Sequence, residues 1–330
     1  MYDEVRIVYG PTGGRFAFLS GVLDALEERL VAKGIHILDR IGVSGGALSA
    51  SIKASGEDFT SWMSTSSHLR KQVEIGNGVR ANIRNFMTLL TKGGMLDTNK
   101  VLNNMFRVIA PEPPYDIPCY AIAWCSTLKR GVAFNVAEDL DVGLCLLTSC
   151  AMPVAFSPVK IHSSRLPRRI QLELGVSDNP RLLVFKDGGL SKTFPSALAP
   201  GNQSAPVIVV DIEGEPPRDG SLFSRVCFSV IKSKALDGVD KARERHPVIV
   251  LTIPTTPDLN KFAAKFDLTE EEGLWQYQLG LEAGRKAVDK HFPLSAPFPF
   301  TPIRSTVVEL GSKKLEAEQS EETEENTPPS

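Results

Sequence analysis

The sequence predicts an α/β fold: a three-layer α/β/α domain on a largely parallel central sheet, with a helical insert. Three observations lead to it. Strand-length apolar runs alternate with helix-length amphipathic segments along most of the chain, the order that lays helices over both faces of a sheet. The two earliest runs, Val5–Tyr9 and Ile37–Val43, each pass through a glycine-rich or serine-glycine turn directly into a helix, as parallel strands do. Of the 330 residues, 42% are hydrophobic and 23% charged, a globular balance with material for a sizeable core.

Val5–Tyr9 reads as a short buried strand followed by the loop Gly10-Pro11-Thr12-Gly13-Gly14. A helix then runs from about Phe16 to Lys33, with Leu19, Val22, Leu23, Leu26 and Leu30 on one face and Gly34 as its stop. The strand through Ile37–Val43 enters Ser44-Gly45-Gly46, and a small-residue helix continues to Ala54. Residues 57–114 are polar, helical in pattern and broken by Gly76, Gly78, Gly93 and Gly94, so they read as an insert or cap. Strands return at Ile117–Ala123 and Val132–Val136, and Asp139 or Asp141 caps a helix reaching about Ala151. Leu182–Phe185, Val207–Ile212 and Val248–Ile253 are further strands, with a helix near Leu222–Leu236. The last helix opens on the capping box Thr269-Glu270-Glu271-Glu272 and carries Leu274, Tyr277, Leu281, Gly284 and Val288 on one face. Phe292–Pro302 reads as an arm packed over the domain. The expected organisation is one domain over residues 1–304, with 57–114 as its insert, and a tail over 305–330.

The formal net charge of −2 is unevenly spread. Residues 315–330 hold six glutamates and no basic residue, which leaves 37 basic against 33 acidic residues in the rest of the chain. The tail is too polar to fold and is expected to be disordered. The body is too weakly basic to indicate nucleic acid. No apolar run approaches the ~18 residues of a membrane span, and Met1-Tyr2-Asp3-Glu4-Val5-Arg6 lacks the basic and apolar regions of a Sec signal peptide. A cytoplasmic protein, or one peripheral to a membrane, is therefore expected. The cysteines Cys119, Cys125, Cys145, Cys150 and Cys227 are odd in number and mostly in apolar runs, the pattern of buried reduced thiols. With no Cys-x2-Cys pair and scattered histidines, no metal site is expected.

Three loops carry the chemistry. Gly42-Val43-Ser44-Gly45-Gly46 is a Gly-x-Ser-x-Gly motif between an apolar strand and a small-residue helix. That context pushes a serine onto a tight turn at a sheet edge, with a helix N-terminus that favours developing negative charge. The glycines are needed because side chains beside such a turn would collide. By itself the motif also describes an ordinary glycine turn with an N-cap serine. Gly10–Gly14 lacks the spacing of a phosphate-binding loop and reads better as an oxyanion hole of bare backbone N–H groups. Lys186-Asp187-Gly188-Gly189 ends a strand, and would offer Ser44 a carboxylate that must be partly desolvated to act as a base.

In chain order, these segments resemble the patatin-like phospholipases, a family of acyl hydrolases with a Ser–Asp dyad. Gly13-Gly14-Arg15 followed by Gly21-Val22-Leu23-Asp24-Ala25-Leu26-Glu27-Glu28 is similar to the family's oxyanion loop and first helix. Gly42–Gly46 with Ala47-Leu48-Ser49-Ala50 resembles its nucleophile elbow. Gly94-Met95-Leu96-Asp97-Thr98 and Ser149–Val159 are similar to segments lying between the elbow and the aspartate, and Asp187-Gly188-Gly189 with Phe194-Pro195 resembles the closing motif. The resemblance spans residues 5–215.

The resemblance implies a patatin-like domain in which Ser44 is the nucleophile and Asp187 the general base. Amides of Gly13, Gly14 and Gly45 would hold the oxyanion, with Arg15 stabilising the loop or a phosphate. Gly42, Gly46, Gly188 and Gly189 would shape the turns. It implies no cofactor and no metal, and a phospholipid or lysophospholipid substrate met at a membrane surface. It does not indicate headgroup, acyl position or any activating protein. Pro11 and Thr12 stand where the family has glycines, and Phe16 where it has the motif's last glycine, which leaves fewer bare amides and predicts a slow enzyme. Alternatives on the same fold are a weakly active or inactive binding scaffold and an acyltransferase. A Ser–His–Asp triad fits poorly, because His246 precedes its strand and His291 ends a surface helix.

Overall fold

The computed structural model describes residues 3–70, 94–96, 99, 103, 106–212, 239–243, 247–262, 268–296 and 299. Phe86, Met87, Cys227, His246, the expected Leu222–Leu236 helix and the acidic tail lie outside them.

Among the described residues ten strands follow in chain order: β1 (Glu4–Tyr9), β2 (His36–Val43), β3 (Gly94–Leu96), β4 (Cys119–Cys125), β5 (Arg130–Asn135), β6 (Val154–Phe156), β7 (Val159–His162), β8 (Leu182–Asp187), β9 (Val207–Ile212) and β10 (Val248–Ile253). The principal helices are α1 (Phe16–Ala32), α2 (Gly45–Ala54), α3 (Phe59–Arg70), α4 (Val142–Cys150), α5 (Arg168–Leu174) and α6 (Glu270–His291). The main sheet runs β10-β9-β1-β2-β4-β8-β7, with β5 also paired to β4. From β10 to β4 every pairing is parallel; β5, β8 and β7 add an antiparallel region. The architecture is the α/β/α class expected, with a mostly parallel sheet.

Along β1 the side chains alternate. Val5, Ile7 and Tyr9 join the core beneath α1, α2 and α4, while Val8 joins a second cluster on the opposite face with Ile41, Ile122, Phe194 and Ala199. Between Val5 and Ile7 of the first face sits Arg6, on the second. Its guanidinium pairs with Asp39 at 2.7 Å and donates to the carbonyls of Ser196 and Pro200, tying the 196–200 segment to the sheet. On the first face Glu27 accepts from Tyr9 at 2.8 Å and from Arg40, which also reaches Asp116 at 2.7 Å.

The packing of α1 against α6 explains a difference from expectation. The buried face of α6 is centred on Gly273, Gln276, Tyr277, Gly280 and Gly284, while Leu274 and Leu281 are only half-buried. A Cβ on Gly280 would lie 2.0 Å from the Phe18 carbonyl, and one on Gly21 would lie 2.1 Å from that of Tyr277. The helices approach through glycines, a contact that hydrophobic periodicity does not reveal. The capping box at Thr269 and Glu272 is formed in both directions. Asp141, not Asp139, caps α4, accepting from the Leu144 N–H at 3.0 Å.

Only the start and end of the 57–114 segment are described at length. Trp62 of α3 is buried, packs edge-on against Phe16 at 6.1 Å and donates to the Ile109 carbonyl at 3.0 Å, so it belongs to the core. The short strands β3 and β6 pair in parallel, joining Gly94-Met95-Leu96 to Val154–Phe156. Cys119, Cys125, Cys145 and Cys150 are buried free thiols. No described helix is long and apolar enough to cross a membrane.

β4 sets the position of the site. β5 lines one side of β4 from Tyr120 to Cys125. On its other side β2 runs parallel up to Val43, opposite Ile122, and β8 runs antiparallel down to Asp187, opposite Ala123. Two strands thus meet end to end on consecutive rungs of a third.

Candidate active site

Ser44 follows the last residue of β2 and caps α2, with φ 55° and ψ −129°. A serine in that region is strained by roughly 1–3 kcal/mol and persists only where its surroundings hold it. Two backbone bonds do so. The Ala47 N–H donates to the Ser44 carbonyl at 2.8 Å, and the Ser44 N–H donates to Ser149 Oγ of α4 at 2.9 Å. The flanking glycines are sterically required. A Cβ on Gly42 would lie 2.3 Å from Ala47 Cα, and one on Gly46 would lie 2.4 Å from the Gly10 carbonyl.

Asp187 ends β8. Its N–H donates to the Ala151 carbonyl at 2.9 Å, and its Oδ1 accepts from the Gly189 N–H at 2.8 Å. Its Oδ2 is buried with no hydrogen-bond partner among the described residues. The Ser44 hydroxyl lies near enough to the carboxylate to favour its charged form, short of a hydrogen bond of ordinary geometry. Burial dominates over that hydroxyl and the Gly189 amide, so the Asp187 carboxyl is pushed up to about 6. The nearby Asp187 charge also helps burial hold the Cys150 thiol well above its usual range. Gly188 lets β8 reach β4: a Cβ there would sit 2.0 Å from the Ile122 carbonyl.

The loop before α1 is a single helical turn, Gly13–Arg15, with Gly13 at φ 58°. The N–H groups of Gly13, Gly14 and Gly45 have no acceptor among the described residues. The Arg15 N–H, by contrast, donates to the Thr12 carbonyl at 3.3 Å. The Arg15 guanidinium is buried, donates to that carbonyl and reaches Asn260 Oδ1 at 2.9 Å. Burial lowers it to about 10 against the pull of Asp211. These contacts tie the loop before α1 to Asn260. Thr12 Oγ1 and the Gly13 carbonyl crowd Gly45, where a Cβ would lie 2.5 and 2.4 Å from them.

Ser44, Asp187, Gly13, Gly14, Gly45, Gly42, Gly46, Gly188 and Gly189 thus come together around one point. Sequence reasoning gave no role to Ser149, Ala151 or Asn260. Ser149 and Ala151 were visible only within a longer similar stretch, and nothing local marks Asn260, which lies 245 residues from its partner Arg15. The basic cluster Arg165, Arg168 and Arg169 is not uniform. Arg169 pairs with Asp139 and Glu173 and donates to the Ala133 carbonyl at 3.0 Å, while Arg165 and Arg168 are exposed. His36 opens β2 at the end away from Ser44, His162 bonds Ser164, and His291 ends α6. No group of three or more His, Cys, Asp or Glu among the described residues could hold a metal ion.

No protein-family model and no curated relative matches the sequence. Among solved structures the chain is similar to VipD from Legionella pneumophila, at 11% identity and a TM-score of 0.36, over 84% of this chain and 67% of that one. It is similar to the type III effector protein ExoU at 15% identity and a TM-score of 0.33, over 87% of this chain and 53% of ExoU. The heterodimeric ExoU–SpcU complex from the type III secretion system of Pseudomonas aeruginosa matches at 15% identity and a TM-score of 0.35, over 88% of this chain and 51% of that one. The chain spans about half the length of ExoU. The chemistry of the site rests on its own residues.

Proposed function

We propose that the protein is a lipid acyl ester hydrolase of the phospholipase A or lysophospholipase type, acting through a Ser44–Asp187 dyad and an acyl-enzyme, as its resemblance to the patatin-like phospholipases implies. The observation that carries the reading is a serine on a strained strand-to-helix turn beside a buried carboxylate raised to about 6. Such a carboxylate is mostly ionised at neutral pH yet more basic than a solvated one, the compromise a general base needs.

In this reading Ser44 Oγ attacks the ester carbonyl carbon as its proton passes to Asp187. The carbonyl π electrons move onto oxygen, where the N–H groups of Gly13, Gly14 and Gly45 stabilise the charge. Collapse breaks the bond to the leaving alcohol, which takes the proton from Asp187 and departs. Water then gives a proton to Asp187 and attacks the acyl carbon. The fatty acid leaves as Ser44 recovers its proton. Histidine is not needed at any step.

The reading is tested by incubating the protein with mixed phospholipids and lysophospholipids and identifying products by mass spectrometry. Free fatty acid released by the wild type and absent with Ser44→Ala is the expected result. Release no greater than the Ser44→Ala blank would overturn it. A second reading, a slow or inactive binding scaffold, rests on one observation: Pro11, Thr12 and Phe16 stand where the resembled family has glycines in this loop.

A further inference from the structure

We propose that Ser149 is a positioning residue for Ser44, and that the C-terminal end of α4 sets the spacing of the Ser44–Asp187 pair; this rests on the hydrolase reading above.

Two contacts from one three-residue stretch motivate it. Ser149 Oγ accepts the Ser44 N–H at 2.9 Å, and the Ala151 carbonyl accepts the Asp187 N–H at 2.9 Å. Ser149 is fully buried, and α4 is anchored by the Asp141 cap at its start and by buried Cys145, Leu146 and Leu147. The stretch therefore ties β2 and β8, which share no pairing with each other, to one rigid support.

Ser44 needs such a tie. At φ 55° it lies where a non-glycine residue stays only under constraint. Its amide is buried and would be an unpaired donor without the Ser149 hydroxyl. Rotation of the Val43–Ser44 peptide to find another acceptor would relax φ and swing Oγ away from Asp187. The Ser149 hydroxyl acts on the nucleophile's geometry, while the electrostatic setting of Asp187 comes first from burial and then from the Ser44 hydroxyl and the Gly189 amide.

The test is the rate of Ser44 labelling by a fluorophosphonate probe between pH 5 and 8, for the wild type, Ser149→Ala and Ser149→Thr, with thermal midpoints recorded in parallel. In Ser149→Ala the plateau rate should fall on the order of tenfold with the pH midpoint unchanged or slightly raised, because burial still dominates Asp187 while the Ser44 hydroxyl that favours its charged form draws away. Ser149→Thr keeps the hydroxyl and should label within a few-fold of wild type. If Ser149→Ala does not fold, Ser149→Cys supplies the comparison, its thiol being a weaker acceptor. A wild-type plateau in Ser149→Ala, or in Ser149→Cys where that replaces it, overturns the proposal. So does a threonine variant as slow as alanine. Those results leave the hydrolase reading standing, whereas a wild type that does not label removes both.

Discussion

Ser44 and Asp187 reach each other from opposite directions along one side of β4, with Val43 opposite Ile122 and Asp187 opposite Ala123. The parallel half of the sheet delivers the serine and the antiparallel half delivers the carboxylate. Their separation is therefore fixed by one rung of a buried strand and not by two independent loops, the kind of support that holds reacting groups to a fraction of an ångström.

The raised Asp187 carboxyl predicts the pH dependence of activity. In the proposed mechanism Asp187 must be ionised to act as the base, so the rate should rise with pH, with a midpoint near 6, and level off above about 7. Initial rates on a short-chain ester across pH 4.5–8.5 check this. A midpoint near 4 would mean that the carboxylate is solvated in the working enzyme.

The same shift predicts a stability cost. The folded value of about 6 lies above the unfolded value of 3.8, so the stabilisation is full below 3.8 and is lost as pH rises through 6. Asp187→Asn should therefore raise the thermal midpoint at pH 7.5 and have little effect at pH 3.5–4, with an upper bound on the order of 3 kcal/mol from the size of the shift. Activity should fall about 10²–10⁴-fold in that variant, as for loss of a positioned base. Each of His36, His68, His162, His246 and His291 should tolerate replacement with modest loss.

Two adjacent glycines should behave differently. Gly188→Ala places a methyl 2.0 Å from the Ile122 carbonyl, backbone against backbone, so β8 must leave β4. Its thermal midpoint should drop by the equivalent of roughly 2 kcal/mol or more. Gly189→Ala meets Asp187 Oδ1 at 3.1 Å and little else, so it should fold normally and lose about tenfold in rate. Circular dichroism melts paired with ester hydrolysis separate the two outcomes.

Arg6→Ala tests the opposite face. It strands Asp39 as a buried charge and removes donors from the Ser196 and Pro200 carbonyls. A loss of about 3–5 kcal/mol is expected in urea unfolding. The rate per folded molecule should be unchanged, because none of these groups touches Ser44 or Asp187.

The elbow, the Gly13–Arg15 turn and the Asp-Gly-Gly end of β8 were legible because each is dictated by local backbone sterics. Strand–turn–helix steps at Tyr9–Phe16 and Val43–Gly45 leave short, dense signals. The strands β6 and β7 were not legible: they hold three and four residues, and Pro153 and Pro158 separate them from their neighbours. The helix Arg168–Leu174 was not legible either, being only two turns long. The Gly280–Phe18 approach and the Ser149 bond to Ser44 arise from partners hundreds of residues or whole elements apart, which periodicity does not encode.

The most direct test of the central claim is the rate at which a fluorophosphonate forms a covalent adduct with the wild type, Ser44→Ala and Asp187→Asn, followed by intact mass and peptide mapping. The account predicts one adduct, on the peptide carrying Ser44, absent in Ser44→Ala and slowed at least a hundredfold in Asp187→Asn. Equal labelling of Ser44→Ala, or labelling of Asp187→Asn at the wild-type rate, would contradict it.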